Sequence, residues 1–142
     1  MSVRRRIASA ILLAGLGVAI QCGSPTAPGR TQSVFQVRAC RGSLHAPDGE
    51  MFRILLRDSD LIAQARALIG VGNRRIVAGK LAPGNGGFNA PWSWHLDPDT
   101  VGFPQITDEI CDGCPSFVEA NGGSWGLGSF CPWSSEVIAE QK

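Results

Sequence analysis

Apolar and polar positions alternate along Val34-Phe35-Gln36-Val37-Arg38-Ala39 after its first pair, and a second run with β character follows in Met51-Phe52-Arg53-Ile54-Leu55-Leu56-Arg57. A period of two marks strands with one buried face. The turn signal Ala46-Pro47-Asp48-Gly49 lies between the runs, so the pattern predicts an antiparallel hairpin. The period then changes. Leu61, Ile62, Ala65, Leu68 and Ile69 fall at helical spacing behind Asp58 or Ser59, either of which can cap, and Gly70 supplies a stop. This predicts an amphipathic helix of about three turns.

Downstream the runs are shorter. Strands are predicted over residues 76–81, 92–96 and 105–110, a short helical turn over 115–120 and a closing strand over 136–139. The order implies a small α+β domain over residues 33–142, with a largely antiparallel sheet packed against one main helix. The glycine-rich residues 83–87 contain no GxxxxGK and precede no helix, which argues against a phosphate cradle.

The N-terminus changes the picture. Arg4-Arg5-Arg6 precedes an apolar run over residues 7–20, shorter than the roughly 20 residues a membrane span needs. Residues 1–21 therefore read as a signal peptide, and residues 22–32 as a Pro/Gly/Ser-rich tether. An apolar leader ending at Cys22 resembles a bacterial lipoprotein, with Cys22 as the lipidation site, although Gln21 departs from the small residue usual before that cysteine. Export to the cell envelope is expected, with the membrane reached through the N-terminal lipid only. Without Arg4, Arg5 and Arg6, the 13 basic residues fall to 10 against 12 acidic ones. That balance gives no bulk attraction for nucleic acid or anionic lipid.

Setting Cys22 aside leaves Cys40, Cys111, Cys114 and Cys131, an even number suited to an oxidising compartment. Cys111 and Cys114 together would close only a small loop, so one of them is expected to pair with Cys131 and the other with Cys40. A redox or zinc reading of Cys111-Asp112-Gly113-Cys114 lacks a second CxxC and is followed at once by Pro115.

The densest chemistry lies in Phe88-Asn89-Ala90-Pro91-Trp92-Ser93-Trp94-His95-Leu96-Asp97-Pro98-Asp99. In a strand, Trp92 and Trp94 share one face, and Ser93 and His95 the other. Outward indoles would offer a platform to a protein or a sugar. A domain with four Trp and no Tyr commonly spends them on its core instead. His95 with Asp97, Asp99 and Asp108 or Glu109 has the donor types for Zn²⁺ or Mn²⁺. Yet no HExxH or EF-hand run is present, and Asp97-Pro98-Asp99 equally reads as a turn beside a structural imidazole. Ser134 or Ser135 with His95 would need a nucleophile motif such as GxSxG, which is absent, and His45 is the only other histidine.

The leading expectation is thus a non-enzymatic, envelope-tethered binding module with no cofactor and an unidentified protein or glycan partner. Its face would span residues 88–99 and 131–135, with Phe88, Asn89, Trp92, Trp94, His95 and Trp133 as contact candidates. An inhibitor of secreted hydrolases is one version, because disulfide-pinned loops are pre-organised. The rivals are a metal-dependent hydrolase using His95 with Asp97 or Asp99, and a structural envelope protein.

Three segments carry a resemblance: Gly86-Gly87-Phe88-Asn89-Ala90-Pro91-Trp92-Ser93-Trp94-His95-Leu96-Asp97-Pro98, then Glu109-Ile110-Cys111-Asp112-Gly113 with Pro115-Ser116-Phe117-Val118-Glu119, then Phe130-Cys131-Pro132-Trp133-Ser134-Ser135. Together they resemble the family of the N-terminal domain of a slime-mould calmodulin-binding protein, BP-seventy-four, over roughly residues 34–140. The resemblance implies a small exported α+β module in which Cys111 and Cys131 pair, and it brings no catalytic residues. Cys114 departs from the pattern, and with Cys40 it suggests an added local disulfide. The calmodulin label transfers poorly, because the predicted helix carries only Arg66 against Asp60, whereas calmodulin targets are basic amphipathic helices.

Overall fold

The structure is a computed structural model that describes residues 31–121 and 128–142. The expected signal peptide, Cys22 and all but the last two residues of the tether lie outside the described residues.

Strands β1 (Ser33–Ala39) and β2 (Glu50–Leu56) form the predicted hairpin, with Ser33 opposite Leu56 and Ala39 opposite Glu50. Gly49 closes the turn at φ +85°, where an added Cβ would lie 2.8 Å from the Ala39 carbonyl oxygen. Helix α1 (Ser59–Leu68) follows, and the Asp58 carboxylate caps it by accepting from the amides of Asp60 and Leu61. The chain then makes β3 (Gly79–Pro83), β4 (Trp94–Leu96), helix α2 (Pro115–Ala120), β5 (Ser129–Phe130) and β6 (Glu136–Gln141).

The strands form two antiparallel three-stranded sheets, in the orders β2-β1-β6 and β4-β3-β5, where the pattern implies one. One core joins them. Phe35, Val37 and Ala39 of β1 with Phe52, Ile54 and Leu56 of β2 meet Trp94, Leu96 and Phe130 of the second sheet, and α1 adds Ile62 and Ala65. Arg66 of α1 grips Glu140 of β6 through two 2.7 Å hydrogen bonds. The Arg66 guanidinium, helped by Ser33, holds the Glu140 carboxyl down at about 2. A carboxylate depressed in the folded state stabilises it above the unfolded value and loses that contribution as pH falls through the folded one. The melting-temperature gap between wild type and Arg66→Ala should therefore shrink between pH 4.5 and about 2, as read by thermal unfolding across that range.

Two predicted strands need correction. Over residues 76–81, pairing begins only at Gly79. Ile76 donates instead to the Pro104 carbonyl, Val77 to the Ser135 hydroxyl, and Ala78 makes an isolated bridge with Gly102. The opposing segment carries Pro104, which has no N–H to return, so no ladder forms there. Residues 105–110 form no strand. They run outside the sheets into a single 3₁₀ turn, Glu109–Cys111, and their apolar members face out: Ile106 is 86 % exposed and Ile110 61 %.

Both disulfides form. Cys111–Cys131 joins the 3₁₀ turn to the residue after β5. Cys40–Cys114 joins the end of β1 to the start of α2, and with its cysteines 74 residues apart it is far from local. Paired cysteines fit an oxidising, extracellular setting. Among the described residues no helix is long and apolar enough to cross a membrane.

Candidate functional site

The aromatic segment that dominates the sequence turns inward. Trp94 is buried between Phe52 and Phe130, with ring centroids 5.9 and 5.3 Å away. Trp92 lies on the same side, 6.0 Å from Trp94 and half-buried. Its indole N–H donates to the Met51 carbonyl at 2.8 Å. Asn89 is fully buried; its side-chain oxygen accepts from the Arg53 amide and its NH₂ donates to the Trp94 carbonyl. Met51 and Arg53 are alternate residues of β2, so these two side chains occupy backbone groups on the edge of β2 that faces away from β1. Trp94 and Asn89, candidates for ligand contact, are therefore core and scaffold in this fold.

His95 is likewise engaged. Its Nδ1 lies 2.6 Å from the Gly84 carbonyl oxygen, and its ring stands edge-on to half-buried Phe88 at 5.5 Å. Gly86 permits that approach, since a Cβ there would lie 3.0 Å from the imidazole and 2.6 Å from the Phe88 ring. Asp97 accepts from the Asp99 amide, and Asp99 pairs with Arg57. Among the described residues no three His, Cys, Asp or Glu side chains are grouped to hold a metal ion. Ser134 accepts from the Cys40 amide and Ser135 from Val77, so both hydroxyls brace the backbone.

A concavity lies elsewhere, beside the Cys111–Cys131 disulfide. A cleft of about 580 Å³ lies between β3, β5 and the segment from Thr100 to Cys111, within the range of about 300–1,000 Å³ typical of ligand sites. Ala78, Phe130, Pro104 and Ile110 supply apolar wall, and Lys80, Thr100, Thr107, Asp108 and Ser129 supply polar groups. The Thr107 hydroxyl is buried without a hydrogen-bond partner among the described residues. Cys111 and Cys131 line the cleft as a disulfide, and the Cys131 amide also donates to the Cys111 carbonyl at 2.8 Å. The wall is thus fixed twice at one point.

A smaller depression of about 240 Å³ lies on the other side of Pro104 and Gln105, lined by Asn73, Arg74, Arg75, Ile76, Gln105 and Trp133. Trp133 is 39 % exposed. Of the sequence candidates it alone combines an exposed aromatic side chain with a place on this face.

The pattern contains one signal for this face. Alternation assigns Ile106 and Ile110 to a strand, but Pro104 just before them and Cys111 just after leave a segment pinned at both ends. Lys80, Thr100, Arg74 and Arg75 carry no local signal, because only the tertiary fold brings them to the depressions.

A family model described as the BP-seventy-four N-terminal domain matches residues 34–142. No curated protein and no solved structure matches the chain.

Proposed function

We propose, from the premise that the chain belongs to the BP-seventy-four N-terminal domain family, that it is a non-enzymatic binding module of the cell envelope, exported and tethered through Cys22. Its contact face is the cleft beside Cys111–Cys131 together with Trp133, and its ligand is a protein or a glycan.

One observation carries this reading: a preformed concavity of about 580 Å³ whose rim segment is fixed by a disulfide while it holds Ile106 and Ile110 out in solvent. Exposed isoleucines cost solubility, and a contact that covers them gives a return in buried apolar area. A fixed wall spares the ligand the entropy of ordering a loop. The exposed candidate Trp133 lines the depression that also holds Gln105, next in the chain to Ile106, which extends the face beyond the cleft.

The test is capture from solubilised envelope extract by the full-length protein, with Ile106→Asp/Ile110→Asp as the comparison. Both side chains are exposed, so the variant should melt within a few degrees of wild type. The expected result is a protein or glycan enriched by wild type and lost, at least tenfold, by the variant. Equal enrichment by both would remove this face from the reading.

A further inference from the structure

The geometry points to a subsite for an acidic sugar, a uronic-acid residue of a glycan, in the depression between Arg74, Arg75, Gln105 and Trp133. This deepens the binding-module reading and rests on it.

Trp133 is held at both of its peptide groups. Its amide donates to the Asp112 carboxylate at 2.8 Å, and its carbonyl accepts from the Asn73 side chain. These bonds fix the backbone that carries the indole, and Trp133, 39 % exposed, lines the depression. The turn carrying the arginines is fixed as well. Arg74 donates from its amide to the Gly72 carbonyl at 2.9 Å, and the Ile76 amide donates to Pro104 at 2.9 Å.

Arg74 and Arg75 are both exposed, and among the described residues neither side chain has a carboxylate within ion-pair distance. The Asp112 carboxylate, which accepts from the Trp133 amide, makes no ion pair with either arginine. Both arginines line the depression, and a cationic lining with no ion-pair partner among the described residues favours an anionic ligand. A guanidinium fork matches a carboxylate in two parallel hydrogen bonds.

The indole decides between anionic ligands. A flat apolar ring with a polar edge packs against the C–H face of a pyranose, and the Gln105 amide can both donate to and accept from hydroxyls. At about 240 Å³ the depression is smaller than the pockets of drug-sized ligands, which begin near about 300 Å³. It suits one sugar unit of a chain whose remainder would run past Pro104 and Gln105 toward the larger cleft.

The experiment titrates full-length protein with oligogalacturonate, with its methyl-esterified form, and with polyglutamate of matched charge. Arg74→Ala/Arg75→Ala, Trp133→Ala and Trp133→Phe are run in parallel. Oligogalacturonate should bind, more weakly as salt rises. The double arginine variant and Trp133→Ala should each lose about tenfold or more, Trp133→Phe should keep most of the affinity, and the ester should not bind. Polyglutamate binding as tightly as the sugar would overturn the inference in favour of plain charge attraction. No binding by oligogalacturonate would also overturn it. If the envelope capture still depends on Ile106 and Ile110 while oligogalacturonate fails, the sugar subsite falls and the binding-module reading stands. If both fail, the reading falls too.

Discussion

Trp94→Ala should unfold or nearly unfold the domain, with a loss of about 3–5 kcal/mol in chemical denaturation, a large part of the roughly 5–15 kcal/mol typical of a whole domain. Among the described residues Trp94 is the largest of the fully buried side chains, and it touches aromatic rings from both sheets. Phe52 and Phe130 already pack edge-on against each other at 5.6 Å, which limits how far they can close on the space it would leave. Its indole N–H is buried with no hydrogen-bond partner among the described residues. Trp94→Phe keeps most of the ring contact and removes that stranded donor, so its cost should be well under half that of alanine. A stable, folded Trp94→Ala protein that merely lost a ligand would show that the indole is a contact residue after all.

The second large effect concerns Cys40–Cys114. Its cysteines are 74 residues apart, and for a loop of that length the chain-entropy argument gives about 4 kcal/mol, against about 3 kcal/mol for Cys111–Cys131 with its separation of 20. Cys40→Ala/Cys114→Ala should therefore cost more than Cys111→Ala/Cys131→Ala, in denaturant melts without reductant. Cys40 also sits at φ 57°, a left-handed backbone that a residue with a Cβ adopts at a cost. Cys40→Gly/Cys114→Ala should recover about 1 kcal/mol relative to the double alanine variant. If the long loop proves the cheaper one to open, the unfolded chain is not what these bonds act on.

The local patterns that are legible in the sequence are those whose partners are close in the chain. The hairpin of β1 and β2 follows from alternation around one turn, and α1 follows from spacing plus the Asp58 cap. The family pattern carries the pairing of Cys111 with Cys131, which the spacing of four cysteines alone leaves open. The failures have a common cause. Alternation over residues 105–110 resembles a strand, but a strand also needs a neighbour with free backbone groups, and no sequence pattern reports its absence. Two-residue β5 is too short to show any period, and it follows a glycine-rich stretch that reads as loop. The candidate site suffers most, since aromatic density at residues 88–99 marks the best-packed part of the chain. Apart from Trp133 and the Cys111–Cys131 pair, the open face is built by residues that are unremarkable one at a time.

The side chains of Asn89 and Trp92 have an effect beyond the domain itself. By bonding Arg53 and Met51 they leave β2 with those backbone positions already taken, so another molecule's strand cannot add there. At the other edge of the β2-β1-β6 sheet, β6 pairs with β1 alone among the described residues. A sheet that can grow at one edge can join a second copy across a two-fold axis and then has nowhere further to extend. Edge-to-edge pairing through this sheet would therefore stop at two copies.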